Sequence, residues 1–446
     1  YELNSSLTGL ISASYDIAFC LLSLFVSYFG ERGHKPRWLA FSAFMLGLGS
    51  LVFSLPHFKS GKYQYGDGTE DCENCRCCNA STNSSLHNYL YVFIVGQLLL
   101  GVGGTPLYTL GTAFIDDSVP KHKSSLYIGI GYAMSLLGPA IGYVLGGQLL
   151  KVYIDIQIPE STKLNQDDPR WLGAWWIGFL ACFFAIWLLI IPFSCFPRHL
   201  PGKGLAIFGY FETEICLYLW ILLKNPVLMS LIIASSSEAL VATGFATFLP
   251  KFIENQFGKS SSFSATLGGI VLIPAAALGQ VISGVLVSKF KMSCRAIIKF
   301  MISTCSVALI LNTVFLFAKC GNEPFAAKFC LINYLENGSE DYEAVPGKCP
   351  TKCNFLPLFL TFFFFAVVFT FMAVTPTTVA ILRYVFCYSK FFKHSNVLMY
   401  FLGTIPGPIL FGVAIDNSCT LWDINECEAK GACWICDNEE WLFADV

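Results

Sequence analysis

The sequence predicts an all-α polytopic membrane protein, built as a helix bundle in two halves. The chain has 446 residues, of which 55% are hydrophobic and only 13% are charged, and its mean hydropathy is +0.59. Its apolar residues gather in about ten long runs, and the segment 197–225 divides these runs evenly, five on each side. A water-soluble globular protein does not have this composition, so the class is membrane-spanning.

The apolar runs are long enough to cross a hydrocarbon core of about 30 Å as helices. They lack the period-two alternation of barrel strands, and a helix satisfies its own backbone groups inside lipid. The predicted spans are residues 7–29, 38–55, 89–114, 124–150, 171–196, 227–250, 263–288, 296–318, 355–382 and 396–415.

The charges of the loops predict the orientation. The loops after the first, third, fifth, seventh and ninth spans are rich in lysine and arginine, whereas most of the 30 acidic residues lie in the other loops and at the two ends. Basic loops stay on the cytoplasmic side of a membrane. We therefore place the first set inside the cell and the other set outside.

Cysteines and glycosylation sequons support this orientation. Twelve of the 19 cysteines lie in the loops placed outside, where an oxidising compartment favours disulfides. Sequons at Asn79, Asn83 and Asn337 fall there too, and we expect them to carry glycan. A zinc site in the stretch CENCRCC is the alternative use of four of these thiols, but we expect no metal.

The longest inner connection marks the boundary between the halves. Residues 1–196 form the predicted amino-terminal half, with a cysteine-rich outer loop at 57–88. Residues 226–446 form the carboxy-terminal half, with an outer loop at 320–353, and the cytoplasmic segment 197–225 links the two.

Short internal similarities indicate that the halves are duplicated. VSYF at 26–29 resembles VSKF at 287–290, and MSLLG at 134–138 resembles MYFLG at 399–403, at offsets of 261 and 265 residues. Duplicated bundles are typical of secondary transporters. Within the fourth span, Gly138, Gly142 and Gly146 are four residues apart and predict the close approach of a neighbouring helix.

The stretch DPRWLGAWWIGFL, residues 168–180, places three tryptophans at the start of the fifth span. Tryptophan is stable at the headgroup level, so an interfacial anchor explains much of the cluster. The stretch also resembles the signature of the organic anion transporting polypeptide family, with Leu172 as a mild departure. The matching residues are Asp168, Arg170, Trp171, Gly173, Ala174, Trp175, Trp176, Gly178, Phe179 and Leu180.

The resemblance extends over nearly the whole chain and is closest to the kidney-type branch. It includes GVGGTPLYTLGTAFIDDSVPKHKSSLYIGIGYAMSLLGPAIG, ATGFATFLPKFIENQFG, LGTIPGPILFG and LWDINECEAKGACW. The resemblance implies a major facilitator-type bundle of twelve helices, of which about ten are present here. It also implies sodium-independent secondary transport by alternating access, as exchange or facilitated uptake. The implied substrates are large amphipathic organic anions such as steroid conjugates, thyroid hormones and cardiac glycosides.

The chain departs from the family pattern in four places. We expect the family's first and last helices to be missing, and the outer loop 320–353 to be a shortened Kazal-like module. Tyr400 stands where relatives usually have an arginine that faces the cavity. These departures leave a second function open: a truncated relative that does not transport and is retained, or that acts as a partner of the full-length transporter.

Two carboxylates within the spans are candidate substrate-binding groups. Asp16 and Glu238 lie where a charge is costly unless it faces protein, water or a partner. The alternative for each is a hydrogen bond that serves helix packing. We predict a role in substrate binding for both.

Two cationic or titratable residues at span ends are further candidates. Lys251, in FLPKFIENQFG, matches a family lysine implicated in substrate handling. A cation there would attract anionic substrates. The alternative is a lysine that only extends its side chain toward the lipid headgroups. His57, in SLPHF, matches the family histidine linked to stimulation by external acid. An imidazole titrates near pH 6.5, so we predict a pH sensor, with a solvated boundary residue as the alternative.

Other classes of function are disfavoured by the sequence. The Gly-Lys-Ser at 258–260 lacks the first glycine of a phosphate-binding loop and lies in a predicted outer loop, which argues against ATP-driven pumping. The loops show no nucleophile–base constellation, so we expect neither an enzyme nor a cofactor. The expected partners are organic anion substrates, the lipid bilayer, and bicarbonate or another counter-anion, but no nucleic acid. The expected location is the plasma membrane, basolateral by similarity to the kidney-type branch.

Overall fold

A computed structural model of the chain describes most of the predicted spans and parts of the outer loops. The described residues are 3–60, 80–118, 121–156, 171–197, 224, 226–290, 292–313, 325–326, 329–336, 339–346, 355–385, 398–424 and 430–436.

In the described part of the amino-terminal half, six helices follow one another. They are α1 (Ser5–Arg32), α2 (Lys35–Lys59), α3 (Ala80–Ser118), α4 (Lys121–Leu149), α5 (Trp175–Leu188) and α6 (Ile190–Cys195). The fifth predicted span is thus divided between α5 and α6 at Leu189. Pro192 accounts for the break, since a proline has no N–H to donate to the carbonyl of the preceding turn.

The described carboxy-terminal half contains five α-helices and a π-helical turn. They are α7 (Pro226–Phe257), α8 (Ser261–Lys289), α9 (Cys294–Thr313), α10 (Leu356–Val385), the π turn (Tyr400–Thr404) and α11 (Pro406–Asn417). Pro406 is in the first turn of α11, where a proline is tolerated because first-turn N–H groups have no helical acceptor. The last span is therefore a discontinuous helix.

The predicted helical membrane fold is confirmed. Each of the ten predicted spans contains a helix, and among the described residues eight helices are long and apolar enough to cross a membrane. These eight segments are Ser5–Ser23, Lys35–Lys59, Tyr89–Gly111, Trp175–Cys195, Pro226–Phe257, Ser261–Val287, Arg295–Thr313 and Leu356–Val374.

Aromatic side chains fill the contacts within each half. In the amino-terminal half, α3 packs against α1 and α2, and Phe53 of α2 meets Phe93 and Phe179 at ring-centroid distances of 4.9 and 4.4 Å. In the carboxy-terminal half, α10 packs against α8 and α9. Phe359 and Phe363 of α10 lie in the buried core of this half. Helices in a bilayer associate through van der Waals packing rather than by displacing water, and large aromatic rings supply many such contacts.

The chain is not purely helical, because two small antiparallel sheets lie in predicted outer loops. One consists of β1 (Phe325–Ala326), β2 (Phe329–Glu336) and β3 (Ser339–Pro346), in that order. The other pairs β4 (Cys419–Ile424) with β5 (Lys430–Cys436) and contains a disulfide between Cys419 and Cys433. This disulfide supports an extracellular position for that end of the chain.

The glycines of α4 correct one prediction. A Cβ on Gly138, Gly142 or Gly146 would meet nothing within 4 Å among the described residues, so this stripe makes no close helix contact there. The close approach occurs at Gly147, where a Cβ would overlap Thr266 of α8. Spacing alone selected the wrong glycines, because Gly147 lies on another face of the same helix.

Candidate functional site

The largest contacts between the described parts of the two halves are made by two pairs of helices. One pair is α1 with α11, and the other is α4 with α8. In each pair one helix comes from each half. The space between the halves is where a major facilitator-type bundle holds its substrate.

The end of α11 caps the start of α1. The Asp416 carboxylate accepts hydrogen bonds from the backbone nitrogens of Ser5 and Ser6, at 2.9 and 2.8 Å. First-turn N–H groups have no acceptor within their own helix and carry partial positive charge, which makes a carboxylate a favourable acceptor. Lys251 of α7 donates from Nζ to the Ser5 hydroxyl at 2.8 Å. We call Ser5, Ser6, Lys251 and Asp416 the outer latch.

The backbones of α1 and α11 touch directly beside the latch. A Cβ on Gly9 would overlap the carbonyl oxygen of Pro408, and a Cβ on Gly412 would overlap that of Ser5. Because the obstacles are backbone atoms, any larger residue would push the helices apart. The glycines therefore permit the closed contact between the halves at this end.

The second pair of helices closes in a similar way. The Ser262 hydroxyl of α8 donates to the carbonyl oxygen of Gly147 at the end of α4. Tyr143 of α4 donates its hydroxyl to the carbonyl oxygen of Ala246 on α7, at 2.7 Å. Both bonds join the amino-terminal half to the carboxy-terminal half near the predicted outer surface, so the described seam is closed there on both sides.

A group of aromatic residues lies deeper, near Tyr15 and Asp16 of α1. Phe19 of α1 stacks on Tyr400, the first residue of the π turn, with 4.8 Å between ring centroids, and meets Tyr108 of α3 edge-on at 6.3 Å. The Tyr15 hydroxyl lies within electrostatic range of Tyr108, Tyr400 and Asp16. Asp16 is about 16 Å along α1 from Ser5, which is close to mid-membrane depth. We call Tyr15, Asp16, Phe19, Tyr108 and Tyr400 the central cluster.

The second predicted carboxylate, Glu238, is not part of the central cluster or the latch. It lies on α7, about 20 Å along that helix from Lys251. Its Oε1 atom is buried without a hydrogen-bond partner among the described residues, and Cys305 of α9 is within electrostatic range. Among the four predicted site residues, the structure thus places Asp16 and Lys251 at the seam and Glu238 within the carboxy-terminal half.

His57 lies near the outer end of α2 against a signature tryptophan. Its imidazole stacks on Trp176 with 4.4 Å between ring centroids and 8° between the planes. Nδ1 is buried and has no hydrogen-bond partner among the described residues, while Asp155 lies within electrostatic range. His57 is therefore a packed residue rather than a solvated helix end.

The signature tryptophans hold the connection between α4 and α5. Trp171 donates from its indole to the carbonyl oxygen of Leu150 at 2.9 Å, and Trp176 donates to that of Ile154 at 3.0 Å. Gly173 pairs with Tyr153, where a Cβ would crowd the backbone of Leu150. Burial, and next the nearby carboxylate of Asp155, raises the pKa of the Tyr153 hydroxyl. These contacts give the tryptophans a packing role beyond a membrane anchor.

Sequence reasoning missed several residues of this site. Asp416, Ser5 and Ser6 were not predicted to be functional, although a carboxylate and a pair of serines at span ends are compatible with helix capping. Some predicted residues lie outside the described part of the chain: Asp168, Arg170, Asn79 and Asn337, together with the side chain of Asn83 and nearly all of the linker 197–225.

The two-half bundle and its seam define a major facilitator-type membrane protein, and solved structures agree. A bacterial homolog to the human lysosomal transporter Spinster, in an inward-facing and occupied conformation, matches 94% of this chain and 76% of its own. The TM-score is 0.61 at 13% sequence identity. A D-xylose–proton symporter matches 93% of this chain and 81% of its own, with a TM-score of 0.58 at 14% identity. At these identities the likeness concerns the fold alone.

The chain belongs to the Organic Anion Transporter Polypeptide (OATP) family, whose model matches residues 1–207, 208–335 and 327–441. It is 54% identical to human solute carrier organic anion transporter family member 4C1, across 98% of this chain and 72% of that relative. The mouse protein of the same name is 53% identical, and mouse member 4A1 is 35% identical. These relatives confirm a multi-pass plasma-membrane protein of the transporter class rather than an enzyme.

Proposed function

We propose that this chain is a sodium-independent secondary transporter of large amphipathic organic anions, and that it works by alternating access. Membership of the OATP family supports the substrate class. The proposed substrates are steroid conjugates, thyroid hormones and cardiac glycosides. Transport proceeds as exchange against bicarbonate or another anion, or as facilitated uptake, and the basolateral membrane is the proposed location.

The observation that carries this proposal is the outer latch. It joins helices of both halves at one end of the seam through a few polar contacts, and the carboxylate of Asp416 is central to it. A typical hydrogen bond in a protein contributes only about 0.5–1.5 kcal/mol net, or about 1.5–3 kcal/mol when one group is charged. A contact of this size holds the outer side closed but can be broken and remade in each transport cycle.

Opening toward the outside requires the two helix pairs to separate. Residues 1–196 and 226–446 then move as two bodies, with the segment 197–225 as the connection between them. Water replaces the acceptor of the Ser5 and Ser6 nitrogens, and Lys251 loses the hydroxyl of Ser5. In the open form Lys251 presents a cation at the mouth of the seam, which raises the local concentration of anions.

His57 is proposed to respond to external acid. Its ring lies on Trp176 and near Asp155, so a proton on the imidazole gains a cation–π contact with the indole and attraction from the carboxylate. The Trp176 indole is hydrogen-bonded to Ile154, in the connection that follows α4. Since α4 forms the seam with α8, protonation of His57 acts on the closure of the halves through this connection.

An uptake assay tests the proposal. Cells that express the chain, together with any segments that its gene encodes on either side, are given a radiolabelled steroid sulfate after surface expression has been measured. We expect saturable uptake that continues when sodium is replaced and that needs no direct ATP hydrolysis. Protein that reaches the surface yet moves none of a broad panel of organic anions would instead support the non-transporting alternative.

A further inference from the structure

The central cluster contains a single formally charged group, and that group is the Asp16 carboxylate. The other four members are aromatic: Tyr15, Phe19, Tyr108 and Tyr400. Among the described residues, Asp16 has neither a hydrogen bond nor an ion pair. A carboxylate at this depth is costly without a counter-charge, and no ion pair in the described part of the chain supplies one.

The cluster also lies where the two halves meet. Tyr15, Asp16 and Phe19 are on α1 and Tyr108 is on α3, whereas Tyr400 belongs to the carboxy-terminal half. The Tyr108 side chain is 47% exposed, so the cluster opens on one side. Tyr400 begins a π turn that interrupts the last span. Interrupted helices at the repeat interface and π turns are both frequent at binding sites.

We infer that the central cluster binds the protonated amine of an amphipathic substrate, either a cation or a zwitterion. This inference rests on the proposed transport function and narrows its substrate class. The Asp16 carboxylate provides the counter-charge, and the rings of Tyr15, Tyr108 and Tyr400 provide aromatic faces and edges, since Asp16, Tyr108 and Tyr400 all lie within electrostatic range of the Tyr15 hydroxyl. Aromatic faces attract an ammonium group through their quadrupole, and the attraction increases when the site is shielded from water.

A sulfate or carboxylate is a poor ligand at the same position. It would lie beside the Asp16 carboxylate, and like charges at short distance repel strongly in a medium of low dielectric constant. Lys251, in the outer latch, places a positive group on the seam. A zwitterionic substrate therefore fits with its amine inward, at Asp16, and its acidic group toward Lys251.

Binding of a matched pair of probes tests this inference. The purified chain in lipid nanodiscs is titrated by calorimetry with (3-phenylpropyl)trimethylammonium and with its uncharged isostere, in which carbon replaces the nitrogen. We expect the ammonium ion to bind about tenfold more tightly than the isostere, since a tenfold ratio needs only the attraction of one cation–π contact and one carboxylate. Equal affinities in the wild-type protein overturn the inference, whatever the variants do.

Three variants locate the effect. Asp16→Asn removes the charge at nearly constant shape, and Tyr400→Arg introduces a cation. Both variants should abolish the preference for the ammonium probe. Tyr400→Arg should also tighten the binding of a steroid sulfate. Glu254→Gln is the control at a carboxylate of α7 that lies outside the central cluster and accepts a hydrogen bond from Ser261, and it should keep the tenfold ratio. A ratio that survives Asp16→Asn places the amine elsewhere and contradicts the inference.

The same titrations separate this inference from the proposed function. If a steroid sulfate binds and is taken up while the two probes bind equally, the amine site is wrong and anion transport stands. If the ammonium preference is present but no organic anion is bound or moved, the amine site stands and the proposed anion transport fails.

Discussion

Asp416 holds the first turn of a helix that lies 411 positions away in the sequence, through a 2.9 Å hydrogen bond from the backbone nitrogen of Ser5. The same carboxylate accepts the nitrogen of Ser6 at 2.8 Å. One side chain at the end of α11 thus joins the carboxy-terminal half to the amino-terminal half at the predicted extracellular surface.

Removing the Asp416 carboxylate should loosen the start of α1. In Asp416→Ala, the nitrogens of Ser5 and Ser6 lose a charged acceptor, which is worth about 1.5–3 kcal/mol. Amide hydrogen exchange in a peptide that contains Ser5 and Ser6 should then become at least about tenfold faster. The control is Asn417→Ala at the exposed neighbouring position. Equal exchange in the two variants would mean that the latch does not hold α1.

Enlarging Gly9 should prevent the close contact of α1 and α11. A methyl group there meets the backbone of Pro408, which cannot rotate away as a side chain can, so Gly9→Ala should cost about 1–3 kcal/mol. Gly142→Ala is the matched control on α4, because nothing among the described residues lies within 4 Å of its Cβ position. It should be neutral or stabilise by up to about 1 kcal/mol through the higher helix propensity of alanine. Thermal unfolding of both proteins in nanodiscs measures the difference.

Lys251 should matter more for anion uptake than another lysine close by in sequence. Lys251→Ala removes a cation that is held in the seam by Ser5, whereas Lys259→Ala removes one from the short connection between α7 and α8. We expect Lys251→Ala to raise the apparent KM for a steroid sulfate severalfold, because anion capture is weakened. Equal effects of the two variants would reduce Lys251 to an ordinary surface charge.

His57→Gln should remove most of the response to external acid. Acidification from pH 7.4 to 5.5 favours the cationic form of an imidazole, so it adds positive charge beside Trp176 and Asp155. We expect acid to lower the apparent KM of the wild-type protein, and the glutamine variant to show a flat response with nearly normal uptake at pH 7.4. His87→Gln, in the same predicted outer region, serves as the control. Full acid stimulation in His57→Gln at normal surface expression would place the sensor elsewhere.

The helices could be predicted because each depends on a local property of the sequence. A helix lies within each of the ten apolar runs, and Pro192 and Pro406 mark the places where two of them are interrupted. The tryptophans of residues 171–176 were correctly placed at a span end. Their indole bonds to Leu150 and Ile154 could not be foreseen, because the partners are backbone carbonyls in a connection without a regular pattern.

The seam was harder to predict because its contacts are long-range. Asp416 stands one residue before the end of α11, where sequence alone suggests a solvated carboxylate, and its partners are at the other end of the chain. The glycine spacing in α4 identified a stripe, but the direction of that stripe depends on how the helix is rotated against its neighbour. Gly147, which makes the contact with α8, is outside the stripe.

The most direct test of alternating access is a reversible cross-link across the latch. Ser6→Cys and Asp416→Cys are combined, and steroid sulfate uptake is measured after mild oxidation and again after reduction, with each single variant and the wild-type protein treated in the same way. If the halves must separate at this end, the oxidised double variant should lose nearly all uptake and regain it on reduction, while the controls should be unaffected. Unchanged uptake in fully cross-linked protein would contradict the proposed motion.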